Sequence, residues 1–168
     1  MAAFLAHRQP QQTTQCGQVQ GRIGQRDPQR KVYGFVITDR RHFDIAIGAE
    51  GLLHAVNPRL LRVEVFSPQG DLRSHWGQGS TTVEGFFGCC NPAHLAALPD
   101  GRFVTAEKGA VRVKVYGPQG KLSAAVAGPQ HLSDTPADLA TDAAGRVLVL
   151  DAAAKSVRIF APKAAPQE

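Results

Sequence analysis

The 168-residue chain has one tryptophan, one methionine, two tyrosines and three cysteines. Three cysteines are too few for the disulfide framework of a small secreted scaffold. No apolar run approaches the roughly 18–20 residues that cross a bilayer as a helix. The opening Met-Ala-Ala-Phe-Leu-Ala-His-Arg lacks the basic lead and long apolar stretch of a secretory signal, so the chain reads as cytoplasmic by default. A Gly-x-Ser-x-Gly elbow, a phosphate loop and a dinucleotide fingerprint are also missing, as is a placeable carboxylate pair. The familiar sequence signatures of an enzyme are therefore absent.

Acidic residues are scarce at one end only. Residues 1–42 hold seven Lys/Arg and two acids, whereas residues 43–168 hold twelve of each sign. The net charge of +5 thus belongs to the N-terminal segment. Its basic residues form no dense block and have few aromatics among them, which argues against a nucleic-acid partner. Residues 1–16 are Gln-rich and unpatterned, so they read as disordered.

What the chain does have is a repeat. Gly51, Gly101 and Gly145 are spaced by 50 and 44 residues. Ala46, Ala96 and Ala140 keep these offsets, as do Val63, Val113 and Val157, and the aromatics Phe66, Tyr116 and Phe160. Self-similarity at this period marks one supersecondary unit per copy. The unit is β. Arg62-Val63-Glu64-Val65-Phe66 and Arg112-Val113-Lys114-Val115-Tyr116 alternate with period two. Asp100-Gly101 and Ala144-Gly145 supply tight turns between short apolar runs, and Gly70 and Gly120 supply a second turn. In the second copy the expected strands are 94–98, 103–106, 112–116 and 122–126. Four-stranded antiparallel units at this period are the signature of propeller blades. The expected fold is all-β, with blades over 43–77, 93–128 and 138–160. The third copy has only three strands. Residues 17–24 (GQVQGRIG) read as an outer fourth strand that completes it, 34–37 as a segment packed on the first blade, and 163–168 as a tail.

Several motifs carry a family resemblance: Gly-x-Ile-Gly at 21–24, Gly-Phe-Val-Ile at 34–37, and Glu-Gly-Phe-x-Gly-Cys-Cys-Asn-Pro at 84–92. They continue with Pro-Asp-Gly-Arg-Phe-Val-Thr-x-Glu-Lys-Gly at 99–109, Arg-Val-Lys-Val-Tyr at 112–116 and Val-Ala-Gly-Pro at 126–129. Together they resemble the NHL-repeat β-propellers, in particular a bacterial subgroup with the Gly-Cys-Cys-Asn-Pro motif. The resemblance covers about residues 17–162. It implies a length near half that of the family's usual members, a C-terminal half of a six-bladed ring, and longer relatives among which export is open.

Two groups of residues invite chemistry. Cys89, Cys90 and His94 lie in the connection between the first two blades. Adjacent cysteines can form a labile disulfide or offer a reactive thiolate, and with His94 they offer soft metal ligands. Phe86, Phe87 and Pro92 beside them favour the competing reading, a loop plugged into the core. The second group is Asp44, His94 and Asp138, which share one column at the start of each innermost strand. A ring of Asp and His there can take a cation or polar ligand on the propeller axis, or it can merely cap turns. Trp76 reads as core between blades, His54, His75 and His131 carry no motif, and Glu107-Lys108 reads as solvated charge in a loop.

The leading functional expectation is a non-enzymatic binding or scaffold module with a protein partner. A redox- or metal-linked protein using Cys89, Cys90 and His94 is the first alternative, and a propeller lyase or hydrolase with an axial metal the second. Neither the metal nor any cofactor is specified by the sequence. Three blades are few for closure, so the expectation is either a head-to-tail homodimer or a missing N-terminal half.

Overall fold

The computed structural model describes residues 19, 21–37 and 43–163. The expected disorder of 1–16 and most of the tail lie outside these residues. Eleven strands form three antiparallel sheets, and there is no α-helix among the described residues. Blade one contains β1 (Ile45–Ile47), β2 (Leu53–Asn57), β3 (Arg62–Phe66) and β4 (Leu72–Trp76). Blade two contains β5 (His94–Ala97), β6 (Phe103–Glu107), β7 (Arg112–Tyr116) and β8 (Leu122–Ala127). Blade three contains β9 (Asp138–Thr141), β10 (Val147–Asp151) and β11 (Ser156–Phe160). Each blade is a meander whose strands pair in chain order.

The repeat offsets hold in three dimensions. Val63 pairs with Val56 and Val113 with Ala106, and Val157 pairs with Leu150. Gly51, Gly101 and Gly145 adopt φ of +76°, +84° and +73°, which the tight turn between the first two strands requires. The next turn closes on Leu61, Val111 and Lys155 at φ of +53°, +48° and +53°. These positions also keep the 50- and 44-residue spacing.

Alternation along the strands sends one set of side chains forward and the other back. Val56, Val63, Val65 and Trp76 of blade one thus meet Leu95, Phe103 and Tyr116 of blade two, with Phe86 of the connection among them. Trp76 sits 5.4 Å from Tyr116 and 5.9 Å from Phe103, which places it in the core between blades, as expected. Val113, Val115 and Ala127 of blade two meet Leu139, Val147 and Val149 of blade three. Burying a branched side chain of this size contributes about 1.5–3 kcal/mol, so these interblade layers hold the blades together.

Residues 21–37 correct one expectation. The described part of 17–24 forms no strand on blade three; it lies against blade one. Ile23 and Phe35 pack on Phe66, and Val36 N–H donates to Asn57 Oδ1 at 3.1 Å. A strand is stable only when a neighbour pairs with it, and β11 is not beside this segment. The packing of 34–37 on blade one is as expected.

Candidate functional site

The innermost strands β1, β5 and β9 lie side by side. Their starts bring Asp44, His94 and Asp138 together at one end of the axis, with one potential ligand atom from each within 4.8 Å of the others. His94 Nδ1 is 3.7 Å from Asp44 Oδ2 and 4.0 Å from Asp138 Oδ1. The strands fix these side chains through their own backbone. Asp44 Oδ1 accepts from Ile45 N–H at 2.8 Å, and Oδ2 accepts from Leu95 N–H of the next blade at 3.0 Å. Asp138 Oδ1 accepts from Leu139 N–H at 2.8 Å. Partial burial pulls the Asp44 carboxyl upward, but the bonds from His94 and the two N–H groups outweigh it and hold it below its ordinary value. Asp44 is therefore an anion at neutral pH.

Two carboxylates and an imidazole are a mixed oxygen and nitrogen donor set suited to a borderline divalent cation or an organic cation. Tetrahedral ligation at about 2.1 Å places ligand atoms about 3.4 Å apart. The two His94 distances exceed this by well under an ångström. Asp138 is the exposed member and opens the cluster to solvent.

The cysteines are arranged differently. Cys89 is exposed, Cys90 is buried, and no disulfide joins them. They do not converge with His94: among the described residues, the axial trio is the one cluster with convergent ligand atoms. Their loop is held by Asn91. Its Nδ2 donates to the carbonyls of Phe87 at 2.6 Å and Lys108 at 3.1 Å, and its Oδ1 accepts from Lys108 N–H at 3.0 Å. Phe86 and Pro92 are buried, while Phe87 faces solvent. The plugged-loop reading therefore describes Phe86 and Pro92 but not Phe87.

Beneath this loop lies a charged cluster that the sequence reading missed. Glu107 is not solvated; it is fully buried. Lys114 Nζ, also fully buried, reaches Glu107 Oε1 at 2.6 Å and the carbonyls of Gly85 and Val83 at 2.6 and 3.0 Å. Two of its N–H groups thus donate to carbonyls, and its charge pairs with the Glu107 carboxylate. Burial pulls the Lys114 pKa down, and Glu107 opposes that pull. Arg112 Nη2 and Phe87 N–H both reach Glu107 Oε2 at 2.8 Å. Tyr116 donates to Glu84 O at 3.0 Å, and burial pushes its phenol up.

The same column repeats the clamp in each blade. Asn57 holds Gly34 and Val36, Glu107 holds Phe87, and Asp151 holds Ser133 through its N–H at 3.0 Å. All three side chains are buried at the end of their blade's second strand. The signal was available, since the 50- and 44-residue offsets align Asn57, Glu107 and Asp151 as a polar column.

No protein-family model matches this chain, and no curated protein matches its sequence. Solved structures do. Virginiamycin B lyase from Staphylococcus aureus superposes with a TM-score of 0.51 at 10% identity, over 78% of this chain and 45% of that one. A structural genomics protein of unknown function from Bacteroides thetaiotaomicron gives 0.50 at 20%, over 67% and 32%. A streptogramin B lyase gives 0.50 at 11%, over 79% and 45%. The fold is a β-propeller. This chain spans less than half the length of these three proteins, and at such identities the likeness extends to the fold alone.

Proposed function

We propose that this chain is a propeller binding module of NHL type, which takes a divalent cation or a cationic ligand group at the axial end of its blades. One observation carries the reading: Asp44, His94 and Asp138 come from three different blades, yet their ligand atoms lie within 4.8 Å of one another. Convergence of polar ligand groups from separate elements on one solvent-open point is what a small-ligand site requires. The test is calorimetric titration with Mn²⁺ and Zn²⁺. Saturable binding at one stoichiometric site is expected, weakened at least tenfold in Asp138→Asn and in Asp44→Asn. Equal affinity in the variants, or no saturable binding, overturns the assignment.

A second reading rests on the same cluster. A lyase or hydrolase with an axial metal needs acids or histidines converging from several blades, and these do. Two of the similar solved structures are lyases by name, one for virginiamycin B and one for streptogramin B. Consumption of a streptogramin B by the metal-supplemented protein tests this reading, and its absence under those conditions leaves the binding module.

A further inference from the structure

Residues 21–37 repeat, on blade one, the arrangement by which the end of blade one meets blade two. Ile23 lies against Gly70 in the turn between β3 and β4, where a Cβ would come within 2.8 Å of its Cγ2. Trp76, the last residue of β4, lies in the same way against Gly120, the equivalent turn of blade two. Gly24 (φ +76°) is covered by the Phe35 ring as Gly77 (φ +83°) is covered by Phe86. Val36 is held by Asn57 as Phe87 is held by Glu107. Residues 21–24 therefore occupy the place of a fourth strand, and 25–37 that of a connection, from a blade preceding blade one.

Blade three has the complementary deficit. Among the described residues it has no fourth strand, and nothing lies beyond β11. Its outward face is apolar: Val157 and Ile159 are 55% and 57% exposed, and Leu150 is 40% exposed. Their equivalents Val63, Val65, Val113 and Val115 are at most 5% exposed. A repeat that ends an array in water has a polar outer face, and this one does not. At the other end, Ile45 on blade one is 55% exposed, while its equivalents Leu95 and Leu139 are buried. The chain thus carries a strand that its own third blade needs, seated on the side of blade one away from blade two.

We propose that two copies of this chain close a six-bladed ring head to tail, each supplying residues 21–24 as the outer strand of the other's third blade. The argument for a second copy is self-complementarity. The eleven described strands and the displaced one make three whole blades when the displaced strand is exchanged. Three blades of six sweep half a turn, so one two-fold axis joins both ends at once and leaves no open edge. By the register that pairs Trp76 with Val63 and Ala127 with Val113, Ile23 of one copy lies opposite Val157 of the other.

The experiment combines light scattering with engineered cross-linking. The full chain is expected to elute with the mass of two 17.9-kDa chains. In a Cys16→Ser, Cys89→Ser background, Ile23→Cys with Val157→Cys is expected to oxidise into a species joining two chains, and neither cysteine alone to do so. Val157→Lys with Ile159→Lys is expected to halve the mass while the β circular-dichroism signal is kept, because both side chains are more than half exposed on the single chain. A one-chain mass overturns the proposal, as is expected if the remaining blades of a longer protein fill this place. So does a mass above two chains, a two-chain mass without the cross-link, or a two-chain mass that survives the lysine pair.

Discussion

Val113 and Val115 on the third strand of blade two are buried, whereas Val157 and Ile159, in the same columns of blade three, are more than half exposed. The buried charges differ in the same sense. Lys114 and Glu107 are both fully enclosed, while Arg158, which meets Asp151 at 3.0 Å, is 41% exposed. The residue columns are alike, so the neighbours make the difference. Blade two is covered by blade three behind it and by the connection 78–92 ahead of it, while among the described residues no further blade lies behind blade three. A periodic sequence therefore does not confer uniform stability. A buried ion pair is an asset only while every partner remains, because one charge left alone in the interior is strongly unfavourable.

Glu107→Ala breaks that comparison most severely. It strips Lys114, Arg112 and the Phe87 N–H of a common acceptor at once. The expected loss is about 3–5 kcal/mol, read from urea unfolding. Asp151→Ala, in the equivalent position, is expected to lose clearly less, because Arg158 can turn to water. Equal losses would mean that the two clamps are equally enclosed. Next in size are the valines. Val113→Ala opens a cavity in the layer between blades and is expected to cost about 2 kcal/mol. Val157→Ala in the separated chain is expected to stay within about 0.5 kcal/mol. A matching loss at Val157 would show its face covered in solution.

Much of this arrangement is legible in the sequence. The repeat centred on Gly101 locates the four strands of blade two to within one residue at each end, because turn chemistry and period-two alternation are local properties. The axial column of Asp44, His94 and Asp138 was visible for the same reason, and the structure gathers it. Two placements were misread. Glu107 belongs to a polar column legible in the offsets, but taken alone it looks like loop charge, because its burial depends on a lysine seven residues on and on a connection folded over both. Residues 17–24 read as a strand for blade three, since the sequence gives a strand's pattern but not the blade beside which it comes to rest. Both misses concern long-range packing.

Asp151 also offers a pH test within the comparison. The N–H groups of Ser133 and Ala154 and the Arg158 guanidinium hold its carboxyl down at about 2. A carboxyl whose folded pKa lies below its unfolded value of 3.8 adds stability that is fully present above the latter. That share is lost as the pH falls from about 4 towards 2. The melting temperature of the wild type is therefore expected to fall more steeply across this window than that of Asp151→Asn. Parallel curves would mean that the clamp is not ionic in solution.

The smallest effect separates backbone strain from packing. Val111 and Lys155 occupy the same turn of blades two and three with φ of +48° and +53°. The left-handed region costs an ordinary side chain about 1–2 kcal/mol, and Asn tolerates it better. Lys155 is exposed and makes no interblade layer, so Lys155→Asn is expected to gain up to about 1 kcal/mol, a rise of a few degrees in melting temperature. Val111 packs against the layer between blades two and three. Val111→Asn therefore relieves similar strain but forfeits apolar contact, and its net change is expected near zero or negative. If both variants gained equally, the Val111 contact would contribute nothing, and the enclosure of blade two would end short of its turn.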